Sequence, residues 1–274
     1  MSAALRSIGP VMLVGAGKMG LALARGWMDA GLAPSNLILV DPSPNEHATE
    51  FAEDFGVVLH GQASGLQPNV LVLAVKPQII DAVMAGLQSV VGPQTVVLSI
   101  AAGIDMARLS RGLETTRVVR SMPNTPAQIG KGITGAVAGA EINAHDRAAV
   151  DALLAAAGQV VWFEAEGDLD AVTALSGSGP AYVFNLVEAL AAAGEQQGLS
   201  AKVAMQLARQ TVIGAAALME ADPQPASVLR QNVTSPNGTT AAGLAVLMAA
   251  DGLGPLIDKT VAAARQRSEE LGRA

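Results

Sequence analysis

The chain has 274 residues, enough for one large domain or two domains of ordinary size. Hydrophobic residues make up 50% of it and charged residues 15%, so it must bury a large core or a large interface. A net charge of −7 argues against nucleic acid as a partner, because a negative protein repels phosphate backbones. The absence of cysteine excludes disulfides, thiolate metal sites and cysteine nucleophiles, and no metal site is predicted.

The first 165 residues alternate short β-branched runs with helical stretches. Strands are predicted at 11–14, 37–40, 70–75, 95–100, 117–121, 133–138 and 159–163. Helices are predicted at 18–30 and 46–55, which end at Gly31 and Gly56. Strands separated by helices indicate a doubly wound parallel sheet with right-handed crossovers.

The pattern becomes purely helical after about residue 165, so two domains are predicted, 1–165 and 166–274. The predicted helix over 202–219 carries one narrow polar stripe, formed by Lys202, Gln206, Arg209 and Gln210. A helix that is apolar over the rest of its circumference must be buried on most sides. We therefore expect it to lie in a subunit interface of an obligate homodimer.

Three glycines, Gly15, Gly17 and Gly20, stand between the first strand and the first helix. In this spacing they permit a tight turn, close approach of a pyrophosphate and close helix–strand packing, respectively. The helix N-terminus offers free N–H groups to the phosphates, and Asp41 ends the second strand, where a carboxylate accepts hydrogen bonds from an adenosine ribose. The pattern predicts a dinucleotide site, although a lone glycine pattern also occurs in unrelated α/β proteins.

A second landmark is the A-V-K-P segment at 74–77, which ends the long apolar strand where open α/β sheets bind ligands. By itself this segment fits an ordinary strand-to-helix turn with an exposed lysine better than a binding site.

Two C-terminal motifs, L-S-G-S-G-P-A-Y at 175–182 and V-T-S-P-N-G-T-T at 233–240, make the chain resemble pyrroline-5-carboxylate reductases. The glycine motif, A-V-K-P, A-A-G at 101–103 and M-P-N-T-P-A at 122–127 follow the same family order. The resemblance implies an N-terminal Rossmann domain and an all-helical C-terminal domain. It also implies a homodimer, often assembled into a larger ring, that reduces 1-pyrroline-5-carboxylate to L-proline with NAD(P)H in the last step of proline synthesis.

The resemblance also implies roles for individual residues. The pyrophosphate would contact Gly15, Ala16, Gly17, Lys18, Met19 and Gly20. The nicotinamide side of the cofactor would contact Ala74, Val75, Lys76, Pro77, Ala101, Ala102 and Gly103. Asn232 would contact the cofactor from the C-terminal domain. The substrate carboxylate would contact Ser235, Asn237, Gly238, Thr239 and Thr240, and Thr173 would lie beside the ring nitrogen. Thr240 would present its hydroxyl to the carboxylate, and Gly238 and Thr239 would present their backbone amides.

The chain departs from the family pattern at Asn237, where glycine is common, and at Gly61, where an asparagine commonly contacts the cofactor. Asparagine tolerates left-handed backbone angles, so the loop shape can survive. Because Gly61 lacks the amide side chain that commonly contacts the cofactor, the contacts on the ribose side of the cofactor are less defined. Asp41 favours NADH by charge repulsion of a 2′-phosphate, yet Ser43 could hydrogen-bond that phosphate, so we expect both NAD(H) and NADP(H) to work.

Candidate acids are scarce, because none of His47, His60 and His145 lies in a motif and Tyr182 is predicted to pack in a helix start. The S-P-N-G-T-T loop contains no acid and suits a carboxylate, although it fits an ordinary N-capped helix start equally well. We expect the substrate to bind largely as the iminium or to be protonated through a hydroxyl and water, with Thr173 and Thr240 as the catalytic hydroxyls.

Two other functions fit the pattern less well. One is a different imine or 2-hydroxyacid oxidoreductase of the same plan, and the other is a dinucleotide-binding regulator without catalysis. The C-terminal helices offer no convincing lysine or histidine for hydroxyacid chemistry, and Ser235, Thr239 and Thr240 argue for an enzyme. The first ten residues lack a signal-peptide core and no apolar run could span a bilayer, so a cytoplasmic location without membrane contact is expected.

Overall fold

A computed structural model describes residues 5, 6 and 8–273 of the chain. The signal-peptide prediction concerns residues 1–10 and so lies partly outside the described residues. The chain divides into two compact units, a sheet unit formed by Met1–Gly177 with Ala264–Ala274 and a helical unit formed by Ser178–Ala263. In the described ranges, no helix is long and apolar enough to cross a membrane.

The sheet unit contains one eight-stranded sheet in the order β3-β2-β1-β4-β5-β6-β7-β8. The strands are β1 (Val11–Val14), β2 (Leu37–Val40), β3 (Leu59–His60), β4 (Val70–Leu73), β5 (Val96–Ser99), β6 (Val118–Met122), β7 (Gly132–Ala138) and β8 (Gly158–Phe163). All the predicted strands form, with ends shifted by a residue or two. Strands β2 and β3 are added on one side of β1, and β4 is added on its other side. The strand order therefore reverses between β1 and β4, which is the switch point where such sheets bind ligands.

The prediction of an all-parallel sheet needs one correction. Strand β7 pairs antiparallel with β6, with Arg120 opposite Val137, and β8 pairs parallel with β7. Only a short 3₁₀ turn, Thr125–Ile129, connects β6 and β7. A parallel partner needs a crossover of about a dozen residues or more, so this short connection permits only an antiparallel neighbour.

The helices of the sheet unit cover both faces of the sheet. They are α1 (Lys18–Asp29), α2 (Glu46–Phe55), α3 (Ile80–Leu87), α4 (Met106–Leu113), α5 (Ala144–Ala155) and α6 (Asp168–Val172), and a π-helical turn, Thr173–Gly177, follows α6. In β1, Val11 and Leu13 join one buried cluster while Met12 and Val14 join the other. Because successive side chains of β1 point to opposite faces and all are apolar, both faces of the sheet must be covered by helices.

Polar side chains fix where these helices begin and how they pair. The Asn45 side chain accepts from the amide of Ala48 and begins α2, which ends at Gly56 with φ of 65°. Helices α3 and α4 are joined by Arg108, which donates to both carboxylate oxygens of Asp81. This hydrogen bond lowers the pKa of the Asp81 carboxyl below its ordinary value.

The helical unit consists of five helices, the last of which also enters the sheet unit. They are α7 (Gly179–Gln196), α8 (Ala201–Ala221), α9 (Ala226–Asn232), α10 (Thr239–Leu247) and α11 (Leu253–Arg273). Within α8, the only buried residues are Ala204 and Ala208, whereas Leu207 and Leu218 are about half exposed, at 53% and 52%. The apolar helix predicted over 202–219 therefore forms, and this chain alone leaves much of its apolar surface uncovered.

The compact units divide the chain later than the boundary expected at residue 165. Helix α6 and the π-helical turn belong to the sheet unit because they pack on its last strands. A Cβ at Gly135 of β7 would lie 2.8 Å from Val172, and one at Gly177 would lie 2.8 Å from Met122 of β6. The predicted boundary marks the end of the last strand, and residues 168–177 still pack on the sheet beyond it.

Candidate active site

The glycine turn lies at the carboxyl ends of β1 and β4, beside the switch point of the sheet. Gly15 has φ of 99°, and a Cβ on it would lie 2.7 Å from the carbonyl oxygen of Ala74. A Cβ on Gly20 would lie 2.3 Å from the carbonyl oxygen of Gly15. Gly17 differs, since it has φ of −77°. Apart from its chain neighbours, no atom of the described residues lies within 4 Å of the position that its Cβ would take.

These three glycines therefore have different roles. Gly15 and Gly20 are required by the protein itself, through backbone angle and close packing. Gly17 begins α1, and nothing in the described chain forbids a side chain there. A residue without a side chain at an open helix N-terminus is what a bound pyrophosphate needs. The amides of Lys18, Met19 and Gly20 belong to the same first turn.

Asp41 follows β2 and joins the glycine turn to the next loop. Its Oδ2 accepts from the amide of Ala16 at 2.8 Å, and its Oδ1 accepts from the amide of Ser43 at 2.9 Å. Both oxygens keep a further lone pair, because a carboxylate has about four acceptor positions. Asp41 thus fixes the loop beside the predicted ribose position, a structural role that the sequence pattern did not indicate.

The two other predicted cofactor segments follow β4 and β5. The amide of Ala74 donates to the carbonyl oxygen of Val14, and Val75 packs beside Gly15. Lys76 is exposed, and Pro77 begins a 3₁₀ turn that leads into α3. After β5, the amide of Ala101 donates to Ser99 Oγ at 3.2 Å.

Strands β1, β4 and β5 are neighbours in the sheet, so the predicted segments that follow them share its carboxyl edge. The A-A-G segment continues from Ala101 through Ala102 to Gly103, where φ is 73°. The edge therefore presents the glycine turn, the A-V-K-P segment and the A-A-G segment side by side.

Thr173 begins the π-helical turn after α6. Its Oγ1 donates to the carbonyl oxygen of Leu169 at 2.7 Å, so the hydroxyl proton already has an acceptor. The following hydroxyl, Ser176 Oγ, donates in the same way to the carbonyl oxygen of Val172. Single π turns are rare and frequent at functional sites. The oxygen of Thr173 can still accept a hydrogen bond from outside the helix.

Asn124 holds this turn, and the sequence analysis gave it no role. Its side chain is 8% exposed, and its Nδ2 donates to the carbonyl oxygen of Ser176 at 3.1 Å. Its Oδ1 accepts from the amide of Ile133 in β7. The M-P-N-T-P-A motif contains this residue, and an asparagine between two prolines was the signal available in the sequence.

The predicted substrate loop lies in the helical unit, between α9, which ends at Asn232, and α10. Asn237 has φ of 60°, so the chain places asparagine in the left-handed conformation expected at this position. Gly238 is the N-cap of α10, and a Cβ on it would lie 2.4 Å from Ser235 Oγ. Glycine at position 238 therefore permits the tight turn from Ser235 to Gly238.

The amides available to an anion differ from those expected. The amide of Gly238 donates to the carbonyl oxygen of Ser235 at 3.1 Å, so it is already used within the turn. The first amide that bonds back to the N-cap is that of Ala242. The amides of Thr239, Thr240 and Ala241 therefore have no partner in the part of the chain that the structure describes, as at any open helix N-terminus.

The remaining candidate acids lie elsewhere. His47 and His145 are exposed on α2 and α5, and His60 ends the edge strand β3. Within the described ranges, no group of histidine, aspartate and glutamate side chains could hold a metal ion.

Two family models match the chain in separate regions. Residues 166–271 match the model described as pyrroline-5-carboxylate reductase dimerisation. Residues 10–103 match the model described as NADP oxidoreductase coenzyme F420-dependent. These regions contain the predicted substrate loop and the predicted glycine turn, respectively.

Relatives of known name match nearly the whole chain. A pyrroline-5-carboxylate reductase of Pseudomonas aeruginosa is 41% identical over 95% of this chain and 96% of its own length. The solved pyrroline-5-carboxylate reductase of Coxiella burnetii is 33% identical, with a TM-score of 0.90 over 98% of this chain and 100% of that one. The Plasmodium falciparum enzyme, solved with NADP bound, is 28% identical, with a TM-score of 0.80 over 97% and 99% of the two chains.

The similarity thus extends through the sheet, the helices and the two C-terminal motifs that carried the resemblance, and it leaves no long segment unmatched. The predicted Rossmann-type sheet followed by helices is confirmed, apart from the direction of β7 and β8. The chain belongs to the pyrroline-5-carboxylate reductase family.

Proposed function

We propose that this chain reduces 1-pyrroline-5-carboxylate to L-proline with NAD(P)H. The observation that carries the proposal is 41% identity to a pyrroline-5-carboxylate reductase across 95% of the chain. In the reaction, a hydride and its electron pair pass from nicotinamide C4 to the C=N carbon of the protonated imine. The π bond breaks, its electrons remain on nitrogen, and the product is a secondary amine.

The cofactor would bind at the carboxyl edge of the sheet. The open space at Gly17 supports this assignment, because a side chain would fit the protein there and glycine is present instead. When bound, the dinucleotide supplies the hydride. Gly15 to Gly20 would hold the pyrophosphate, and Asp41 with Ser43 would lie on the ribose side. The A-V-K-P and A-A-G segments would flank the nicotinamide, and Asn232 would contact the cofactor.

The substrate carboxylate would bind at the N-terminus of α10. The amides of Thr239 and Thr240 are free to donate, and the Thr240 hydroxyl adds a third donor in the same turn. Ser235, Asn237 and Gly238 would shape the loop around this site. Because the Gly238 amide already donates to Ser235, we assign to Gly238 a conformational role rather than the donor role that the sequence suggested.

Thr173 would orient the ring nitrogen by accepting a hydrogen bond. Its hydroxyl proton points to the Leu169 carbonyl, so its oxygen is suited to accept from an N–H rather than to give up a proton. An iminium carries such an N–H and a neutral imine does not. The hydrogen bond therefore favours binding of the protonated substrate, and no side chain of the protein needs to serve as the acid.

The chain would work as a homodimer, and a larger ring of dimers fits the same family. The match to the dimerisation model and the exposed leucines of α8 support the dimer. We also propose a cytoplasmic location, which rests on the family and the absence of cysteine.

The decisive experiment is a cofactor-oxidation assay with 1-pyrroline-5-carboxylate, using NADH and NADPH in turn and identifying proline as the product. We expect turnover with both. A panel of other cyclic imines and 2-oxoacids serves as the control. Faster turnover of a 2-oxoacid than of the pyrroline would contradict the proposed substrate, and no turnover of any compound would contradict the enzymatic assignment.

A further inference from the structure

The last helix, α11, contains one buried residue, and that residue is a serine. Ser268 is 6% exposed, whereas the rest of Leu253–Arg273 is half-buried or exposed. Burying a hydroxyl costs free energy unless it is hydrogen-bonded. Ser268 Oγ donates to Asp170 Oδ1 at 2.6 Å, a short hydrogen bond to a charged acceptor.

Asp170 belongs to α6, which runs without a break into the π-helical turn. The amide of Thr173 donates to the carbonyl oxygens of Leu169 and Asp170. The backbone that carries Thr173 is therefore bonded to the residue that Ser268 holds. A shift of Asp170 would move the Thr173 oxygen with it.

The same end of α11 also lies against the A-A-G segment. A Cβ on Gly103 would lie 3.5 Å from the carbonyl carbon of Leu271, and one on Gly272 would lie 3.7 Å from the carbonyl oxygen of Gly103. Positions three and four apart share one side of a helix, so Ser268, Leu271 and Gly272 form one contact face. We call this face the C-terminal brace.

Glu166 connects the two segments that the C-terminal brace contacts. Its Oε1 accepts from the amide of Met106, which follows the A-A-G segment, and from Arg120 Nη1 at 2.9 Å. Arg120 is 8% exposed, so this ion pair is largely shielded from water. The segment before α6 and the segment after β5 are thus tied together at Glu166 and covered by the C-terminal brace.

We propose that the C-terminal brace positions Thr173 relative to the nicotinamide for hydride transfer, with Ser268 acting through Asp170. This inference rests on the proposed function, in which Thr173 contacts the imine nitrogen and the A-A-G segment contacts the nicotinamide. Ser268 and Asp170 touch neither reactant, so they are positioning residues. Hydride transfer depends steeply on the distance and angle between the reacting atoms, and displacement by about 1 Å can lower the rate by up to about a hundredfold.

The test compares Ser268→Ala with wild type in the full-length enzyme. We expect kcat to fall about tenfold, while KM for NADPH changes by less than about twofold. The deuterium isotope effect on kcat, measured with nicotinamide deuterated at C4, should rise because hydride transfer becomes slower than product release. The matched control is Thr260→Ala, which removes a hydroxyl of the same helix that bonds only to the Leu256 carbonyl oxygen. It should leave kcat and the isotope effect unchanged.

A double-mutant cycle tests whether Ser268 acts through Asp170. Asp170→Ala should reproduce the loss seen in Ser268→Ala, and the double variant should lose no further activity. Asp170→Asn keeps the acceptor oxygen and should recover most of kcat. Additive losses in the double variant would contradict the coupling, and an unchanged isotope effect in Ser268→Ala would show a structural role only.

Thr173→Ala, assayed in parallel, separates failure of this inference from failure of the proposed function. If Thr173→Ala lowers turnover and Ser268→Ala does not, the positioning role is wrong and the proposed function stands. If Thr173→Ala turns over normally across the pH range, Thr173 has no part in the mechanism. A wild-type enzyme without activity on 1-pyrroline-5-carboxylate would overturn both.

Discussion

In the sheet unit, every residue of β1, β4 and β5 is buried, whereas in the helical unit, residues 178–263, the buried side chains are those of Ala191, Ala204 and Ala208. Both units are rich in apolar residues, but only the sheet unit covers its own. Helices cross closely at small residues such as Gly194, where a Cβ would lie 3.2 Å from the Cβ of Ala204. Larger side chains of the unit, such as Leu207 and Leu218, remain about half exposed.

This difference shows that a high apolar content can serve two purposes in one chain. In the sheet unit it builds a core around strands, and in the helical unit it builds a surface that a second copy of the chain must cover. Each predicted site loop lies in one of these units. The helical unit should therefore depend on assembly, and the sheet unit should depend mainly on its own packing and on the cofactor.

The largest expected effect comes from charging the exposed face of α8. Leu207→Asp would place an unpaired carboxylate in the proposed interface, at a cost on the order of 3–5 kcal/mol. We expect sedimentation to show monomers or aggregates at micromolar concentration, with activity lowered more than about a hundredfold. Gln206→Asp, one position away on the polar stripe, should remain an active dimer. A stable, active Leu207→Asp monomer would contradict the proposed obligate dimer.

The next largest effect distinguishes Gly17, where the protein has room for a side chain, from Gly20, where it has none. Gly17→Ala has room in the protein, so the melting temperature should not fall, while cofactor Kd should rise about tenfold to a hundredfold because a methyl group meets the pyrophosphate. Gly20→Ala would press on the Gly15 carbonyl, so both cofactor binding and melting temperature should fall. Unchanged cofactor affinity in Gly17→Ala would remove the pyrophosphate from this turn.

A smaller effect is expected in the loop of the helical unit. A hydrogen bond to a charged group contributes roughly 1.5–3 kcal/mol, so Thr240→Ala should lower kcat/KM for the pyrroline about tenfold to a hundredfold. The cofactor Kd should change little, because the proposed pyrophosphate site lies in the other unit. If Thr240→Ala weakened cofactor binding as much as catalysis, the loop would have a structural role and the carboxylate assignment would be withdrawn.

The smallest effect concerns the choice of cofactor. Asp41 repels a 2′-phosphate, but both of its oxygens also accept backbone amides, and Ser43 offers a hydroxyl to a phosphate. We expect kcat/KM for NADH and NADPH to differ by less than about a hundredfold, which is roughly 2.7 kcal/mol. Asp41→Asn should shift the ratio towards NADPH. A wild-type preference for NADPH above that limit would contradict this account of Asp41.

The sequence predicted the parts of the molecule that depend on local pattern. Strands and helices of the sheet unit were found because apolar runs and glycine stops are local signals, and the left-handed angle at Asn237 followed from its residue type. The direction of β7 was missed because β-branched runs look alike in either direction. The short connection at Thr125–Ile129 was the overlooked signal.

Hydrogen bonds over long sequence separations could not be predicted. Asp41 was assigned to a ligand, but it also bonds to Ala16, which lies in another loop. Ser268 and Asp170 carry no motif, and they meet only because the end of α11 packs in the sheet unit. The bond from the Gly238 amide to the carbonyl oxygen of Ser235 was also not predicted, because the motif alone does not show that the tight turn uses this amide.

The uncovered leucines of α8 have a consequence for how the stability of this protein should be expressed. A unit that completes its core only in a dimer has an unfolding free energy that contains a concentration term, because dilution favours separate chains. Its melting temperature should rise with protein concentration, and heat-denaturation curves recorded at different concentrations should not superimpose. Mass action, as much as amino-acid packing, then sets the temperature at which the helical unit comes apart.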